Sequence, residues 1–130
     1  LQAYHQIDVA LDTYPYHGTT TTCEALWMGV PVITLAGPMH TSRVGVSLLT
    51  QIGTPEFIAH TPEEFVEIAQ RLASDLPAVD TLRHDLRVKM LGSPLFDYRT
   101  LARNFEAAFR AMWHHWLGLD EDPLLDGADA

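Results

Sequence analysis

Four consecutive threonines, Thr19–Thr22, lie between two short apolar segments that are rich in β-branched residues. The segments Ile7–Asp12 and Pro31–Leu35 each have the length and composition of a buried strand. Cys23–Met28, which lies between them, predicts a short helix. A strand, a turn, a helix and a second strand in this order favour two parallel strands with the helix covering the sheet.

Three regions downstream continue this alternation. Residues 44–52 predict a second helix that Thr41 or Ser42 caps, and Phe57–Ala59 predicts a third strand. Thr61–Glu64 has the features of a helix start: a capping threonine, a proline in the first turn and a glutamate three residues after the cap. We therefore predict an α/β fold, a Rossmann-like parallel sheet with covering helices.

Two more helices follow, one around Leu86 that ends at Gly92 and one that begins near Asp97. The last helix carries a large apolar side chain every three or four residues: Tyr98, Leu101, Phe105, Phe109, Met112 and Trp116. We expect this stripe to pack in the core, so that residues 1–117 form one lobe. Residues 118–130 are acidic and contain no basic residue, which predicts a solvated, disordered tail.

The charge balance excludes two classes of partner. The chain has 17 acidic against 8 basic residues, and Arg43 is the one fixed cation among the first seventy. Proteins that bind a nucleic-acid backbone or an anionic membrane surface show the opposite balance, so we expect neither partner. The single cysteine, Cys23, excludes an internal disulfide and is compatible with a cytoplasmic protein.

The turn before the first helix is an anion site by its predicted geometry. The first N–H groups of a helix have no partner within the helix, and the helix dipole makes that end positive. Gly18 allows a close approach of the backbone, and the hydroxyls of Thr19, Thr20 and Thr21 add neutral donors. Such donors would let an acidic segment hold a diphosphate.

Other interpretations of the same residues stay open at this point. Thr21 with Glu24 three residues later also forms a capping-box pattern. Glu24 would then close the cap, whereas in a ligand site it would accept hydrogen bonds from ribose hydroxyls. His17 is either a loop histidine or a site residue, and Arg43 is either an anion contact or a surface residue.

The run Asp12–Leu35 resembles the C-terminal catalytic lobe of the O-GlcNAc transferase family, including bacterial and plant relatives in which this lobe follows tetratricopeptide repeats. The resemblance continues through Ser42–Val44, Phe57–Ala59, Ser93–Phe96 and Met112-Trp113. It covers residues 6–117. The threonine-rich turn that leads into an Ala-Leu-Trp-Met-Gly-Val-Pro segment is its most specific part.

This resemblance implies a partial C-terminal lobe of a GT-B glycosyltransferase. The reaction would be inverting transfer of N-acetylglucosamine from UDP-GlcNAc to Ser or Thr of proteins, with no metal or other cofactor. Thr20 and Thr21 match the threonines that contact the UDP phosphates, and Thr19 replaces a histidine of the animal enzymes. Glu24 stands in the place of a ribose-binding aspartate, one methylene longer. The donor site is therefore expected at Gly18, Thr19, Thr20, Thr21 and Glu24, with His17 and Arg43 as further candidates.

Two departures limit what this part of the protein is expected to do. Gly37–His40 replaces a Gly-Glu-Thr type loop, and Lys89, the sole lysine, matches no family lysine. The leaving-group lysine, the uracil-binding residues and the acceptor-lobe histidines are expected upstream, so no catalytic residue and no activity are expected in this chain alone. The alternatives are a GT-B transferase with another sugar or acceptor, and a nucleotide-binding or interaction module without catalysis.

Overall fold

A computed structural model describes residues 1–119. The strands are β1 (Ala10–Leu11), β2 (Val32–Leu35) and β3 (Ile58–Ala59). The helices are α1 (Thr20–Trp27), α2 (Val44–Gln51), α3 (Pro62–Ser74), α4 (Leu76–Leu91) and α5 (Tyr98–Trp116). Short 3₁₀ helices span Gln2–Gln6, His40–Ser42, Pro55–Phe57 and Pro94–Phe96.

The three strands form one parallel sheet in the order β1-β2-β3. Ala10 pairs with Val32, and Thr34 pairs with Ile58, so the carboxyl ends of the strands lie at one edge. The predicted α/β fold with three parallel strands and five helices is confirmed. The first strand is shorter than predicted, because only Ala10 and Leu11 pair with β2. It is also less buried than predicted, since Ile7 and Leu11 are exposed.

The chain forms two compact units, Leu1–Phe96 and a second unit that begins at Asp97. The core of the first unit lies around β2 and the helices next to it. Its completely buried large apolar residues are Leu26, Val30, Ile33, Leu49 and Leu86. Trp27 stacks on Phe96 with ring centroids 5.5 Å apart, which extends this apolar packing.

Two of the predicted helix starts have different outcomes. The Glu64 amide donates to the Thr61 hydroxyl over 3.2 Å, so the predicted cap of α3 is confirmed. The prediction that Thr41 or Ser42 caps α2 is wrong, because Arg43 occupies the cap position without a side-chain bond. Ser42 instead exchanges hydrogen bonds with the backbone of Met39 and closes the preceding 3₁₀ turn.

The apolar stripe of α5 is not part of a core in this structure. The Asp97 side chain accepts from the Thr100 amide, as predicted for a helix start there, but α5 has no buried residue. Phe105 is 55% exposed, and Leu101, Phe109 and Met112 are exposed to a similar extent. The expectation that they pack in the core is therefore wrong, because periodicity identifies an apolar face without identifying what covers it.

The acidic tail predicted for residues 118–130 lies outside the described residues from Asp120 onward. In the described part, no helix is long and apolar enough to cross a membrane.

Candidate functional site

A cleft of about 140 Å³ opens where β1 ends and α1 begins. Its walls include Asp12, Gly18, Thr21 and Thr22, together with Tyr4 from the first 3₁₀ helix. Ligands of parallel α/β sheets bind at this edge, beyond the carboxyl ends of the strands. The cleft therefore lies where the sequence predicted the anion site.

Helix α1 begins one turn earlier than predicted, at Thr20, so that the threonines form its first turn. Thr19 occupies the cap position and its side chain makes no capping hydrogen bond. Thr19, Thr20 and Thr21 are exposed. The N–H groups of a first helical turn have no partner within the helix, so this end of α1 can donate both amide and hydroxyl hydrogens to an anion.

The alternative in which Thr21 and Glu24 form a capping box is wrong. A capping threonine precedes the helix, whereas Thr21 lies inside its first turn. The threonine that stabilises the turn is Thr22, which is buried and donates from Oγ1 to the Gly18 carbonyl over 2.9 Å. The hydroxyl of Thr21 is thus not committed to a cap.

Gly18 is the residue on which the threonine turn is built. Its φ is not positive, so the glycine is required by space and not by backbone conformation. A Cβ at this position would lie 2.4 Å from Thr21 Oγ1 and 2.9 Å from Thr22 Oγ1. Its N–H donates to Asp12 Oδ1 over 2.8 Å.

Glu24 lies on α1, one turn beyond the exposed threonines, and is partly exposed. The Tyr4 hydroxyl lies 3.3 Å from Glu24 Oε2 and 3.3 Å from the Thr21 carbonyl oxygen. Burial raises the pKa of the Tyr4 phenol, and the hydrogen bond to Glu24 and its negative charge raise that pKa further. Tyr4, which lines the cleft, therefore orients the Glu24 carboxylate; Glu24 itself is not among the residues that line the cleft.

His17 is 1% exposed and lies beneath the turn. The Gly45 amide lies 3.1 Å from Nδ1, and Leu35 O lies 3.0 Å from Nε2. Because an amide only donates and a carbonyl only accepts, Nδ1 is unprotonated and Nε2 carries the hydrogen. We expect this neutral ring to hold the turn in place, while a direct contact with a ligand stays a prediction.

Arg43 is exposed at the start of α2 and donates from Nη1 to the Gly37 carbonyl over 3.2 Å. The guanidinium thus braces the loop that follows β2. His40 in the same loop is exposed. A role for Arg43 in anion binding stays a prediction.

Cys23 is partly buried on α1, and burial raises the pKa of its thiol. A raised pKa lowers the thiolate fraction at neutral pH. This agrees with a packing role for Cys23 rather than a nucleophilic one.

A larger cleft, of about 370 Å³, lies at the other end of α1 and includes Trp27, Arg83 and Arg87. The guanidinium groups of its two arginines already donate hydrogen bonds to backbone carbonyls within the chain. Arg83 donates to the carbonyls of Tyr4 and Ile7, and Arg87 donates to the Trp27 carbonyl and covers its ring. The smaller cleft at the threonine turn is the better ligand site, because its Thr21 hydroxyl is not committed to a cap, whereas both arginines of the larger cleft donate to backbone carbonyls.

Sequence reasoning missed two residues of the site, Asp12 and Thr34. Asp12 accepts hydrogen bonds from Thr13 N, Gly18 N and the Thr34 hydroxyl. The available signals were a carboxylate at the end of an apolar strand and a threonine in the middle of a buried one.

Comparisons with known proteins identify the family of this chain. The profile of glycosyl transferase family 41 matches residues 4–105. A probable UDP-N-acetylglucosamine–peptide N-acetylglucosaminyltransferase SPINDLY from Hordeum vulgare is 48% identical over 95% of this chain and 13% of its own length. The UDP-N-acetylglucosamine–peptide N-acetylglucosaminyltransferase of Caenorhabditis elegans is 35% identical over 84% of this chain and 10% of its own length.

Among solved structures, a mutant of the Thermobaculum terrenum O-GlcNAc transferase aligns with a TM-score of 0.80 and 43% identity, over 88% of this chain and 22% of that one. The chain thus spans a small part of each of these relatives. The family profile nevertheless covers most of the chain. The chain belongs to glycosyl transferase family 41.

Proposed function

We propose that this chain is the nucleotide-sugar-binding part of an inverting glycosyltransferase, which transfers N-acetylglucosamine from UDP-GlcNAc to Ser or Thr of proteins. The observation that carries the proposal is the uncapped start of α1 at the carboxyl edge of the sheet. There the side chains of Thr19, Thr20 and Thr21 are exposed and none of them caps the helix. The family and its named transferases support the choice of UDP-GlcNAc as donor and of a protein as acceptor.

In this proposal the diphosphate lies against the first turn of α1. Backbone N–H groups and the hydroxyls of Thr20 and Thr21 donate to its oxygens, and the helix dipole favours the negative charge. Glu24, oriented by Tyr4, accepts from the ribose hydroxyls. In the same proposal the reaction needs no metal. The protein is proposed to be cytoplasmic.

The contribution of this chain to transfer is stabilisation of charge on the departing diphosphate. The neutral donors at α1 do this without a lysine; Lys89, which is exposed in the last turn of α4, is not needed for it. The remaining catalytic groups are assigned to other parts of a longer protein. The isolated chain is thus expected to bind the donor without turning it over.

The proposal is tested by calorimetric titration of the chain with UDP, UMP and uridine. Binding should follow the order UDP, then UMP, then uridine, because most contacts are made to the diphosphate. We expect a UDP dissociation constant on the order of millimolar, near −4 kcal/mol, because the proposed contacts are to the diphosphate and the ribose and none is to the uracil. Equal binding of uridine and UDP would contradict a diphosphate site.

A further inference from the structure

We propose that Asp12 is a positioning residue for donor binding, and that it acts through a buried group of four residues, Asp12, His17, Thr34 and Gly45, called here the Asp12 network. The proposal rests on the proposed function, since the ligand it positions is the diphosphate. Asp12 itself is not expected to touch that ligand, because a carboxylate repels it.

Both carboxylate oxygens of Asp12 are used inside the protein, and its side chain is 3% exposed. Oδ1 accepts from the Gly18 amide over 2.8 Å and from the Thr13 amide over 3.0 Å. Oδ2 accepts from the Thr34 hydroxyl over 2.8 Å. The carboxylate therefore joins the ends of β1 and β2 to the residue that precedes the threonines.

The His17 ring extends this connection to α2. Nδ1 accepts from the Gly45 amide, so its distance of 3.4 Å to Asp12 Oδ2 joins two acceptors and is not an ion pair. The Thr34 oxygen lies 2.8 Å from Oδ2 and 3.1 Å from Nδ1. Its single hydrogen goes to the carboxylate, the closer and charged acceptor. The Thr34 hydroxyl thus bonds to the carboxylate, and its oxygen only contacts the ring.

The network has no spare volume at Gly45. A Cβ there would lie 2.5 Å from both Asp12 Oδ2 and Thr34 Oγ1. These atoms belong to short side chains within a buried cluster and have little room to move. The tight packing holds the start of α2 against the ends of β1 and β2.

The network reaches the threonines through Gly18. The Gly18 N–H donates to the Asp12 carboxylate, and the Gly18 carbonyl accepts from the Thr22 hydroxyl in the first turn of α1. A shift of Gly18 therefore moves the first turn of α1, and with it the donors of Thr20 and Thr21, relative to the cleft. Donor alignment decides how well an anion is held, so the network sets affinity for the diphosphate.

The test compares two substitutions at Thr34 in the full 130-residue chain. Thr34→Val keeps the shape and removes the hydroxyl, whereas Thr34→Ser keeps the hydroxyl and removes a methyl group. Thr54→Val is the matched control, because Thr54 is also 0% exposed but its hydroxyl donates to the Leu49 carbonyl, outside the network. UDP affinity is followed by backbone amide shifts, and stability by urea unfolding.

Thr34→Val should weaken UDP binding roughly fivefold to tenfold, the worth of about one hydrogen bond. Thr34→Ser should retain the affinity of the unmodified chain even where it is less stable, and Thr54→Val should lose stability without losing affinity. If UDP binds the unmodified chain and Thr34→Val equally well, the network proposal is overturned while the proposed function stands.

Hydrogen exchange of the Gly18 amide tests, without a ligand, whether the Asp12 network holds Gly18. Exchange should be faster in Thr34→Val than in the unmodified chain, and unchanged in Thr34→Ser and Thr54→Val. If UDP does not bind the unmodified chain, the proposed function fails, but the Gly18 exchange rates still test whether the network holds Gly18. Equal exchange in Thr34→Val and the unmodified chain would overturn the network.

Discussion

The Gly45 amide nitrogen lies 3.1 Å from His17 Nδ1, and this contact connects the start of α2 to the turn before α1. The two residues are 28 positions apart in the chain. Since the amide can only donate, the contact fixes both the charge and the tautomer of a histidine that lies beneath the candidate donor site.

His17 should therefore be a neutral imidazole with its hydrogen on Nε2 at neutral pH. Nitrogen chemical shifts of the ring, measured by long-range proton–nitrogen NMR, distinguish this tautomer from the other two forms. His84, which donates from Nδ1 to the Asp80 carbonyl and lies on the surface of α4, is the internal comparison. A His17 ring protonated at both nitrogens would contradict the assignment.

Substitution of the neighbouring threonines should separate an exposed donor from a structural one. Thr21→Ala should change the free energy of unfolding by less than about 0.5 kcal/mol, because Thr21 is exposed and is not a cap. Thr22→Ala should cost about 1–2 kcal/mol, because it removes the buried hydrogen bond to Gly18. Urea unfolding measures both, and a larger loss for Thr21→Ala would restore the capping interpretation.

Cys23 should react slowly with iodoacetamide in the folded chain. Burial raises the pKa of its thiol, so the folded state favours the protonated form. The associated stabilisation is present below the pKa of the unfolded thiol and is lost as the pH rises through the folded pKa. Alkylation at mildly alkaline pH should be slower in buffer than in urea. The difference between these two rates should be smaller at a more alkaline pH, where a larger fraction of the folded thiol is ionised. Equal rates in buffer and urea would show that the thiol is exposed to the reagent and that its pKa is not raised in the folded chain.

Phe105→Ala should destabilise this chain by less than about 1 kcal/mol, because the ring is more than half exposed. Leu86→Ala is the comparison within the core and should cost about 2–5 kcal/mol. Both values come from urea unfolding followed by circular dichroism. A Phe105→Ala loss as large as that of Leu86→Ala would mean that α5 is covered in solution.

Local patterns in the sequence were sufficient to predict the alternation of strands and helices. The cap of α3 was also predictable, because Thr61 and Glu64 are three residues apart and their bond depends on helix geometry alone. The start of α1 was placed a turn too late, since threonines at a helix start predict a cap and a first turn equally well.

The connections that hold the site were not predictable from local pattern. Asp12 and Thr34 are 22 residues apart and meet only because β1 and β2 pair in parallel. The burial of His17 likewise depends on where α2 lies against the sheet. For α5, the sequence identifies an apolar face, and the described residues leave that face exposed.

The exposed threonines of α1 should bind a diphosphate, and a site-resolved UDP titration tests this binding most directly. Backbone amide shifts are recorded for the unmodified chain, for Thr20→Ala, and for Thr50→Ala, an exposed threonine on α2 that serves as control. UDP should move the amides of residues 18–24 first, with roughly fivefold weaker binding for Thr20→Ala and unchanged binding for Thr50→Ala. If UDP at high concentration leaves residues 18–24 unmoved, or binds Thr20→Ala as tightly as the unmodified chain, the threonine turn is not the donor site.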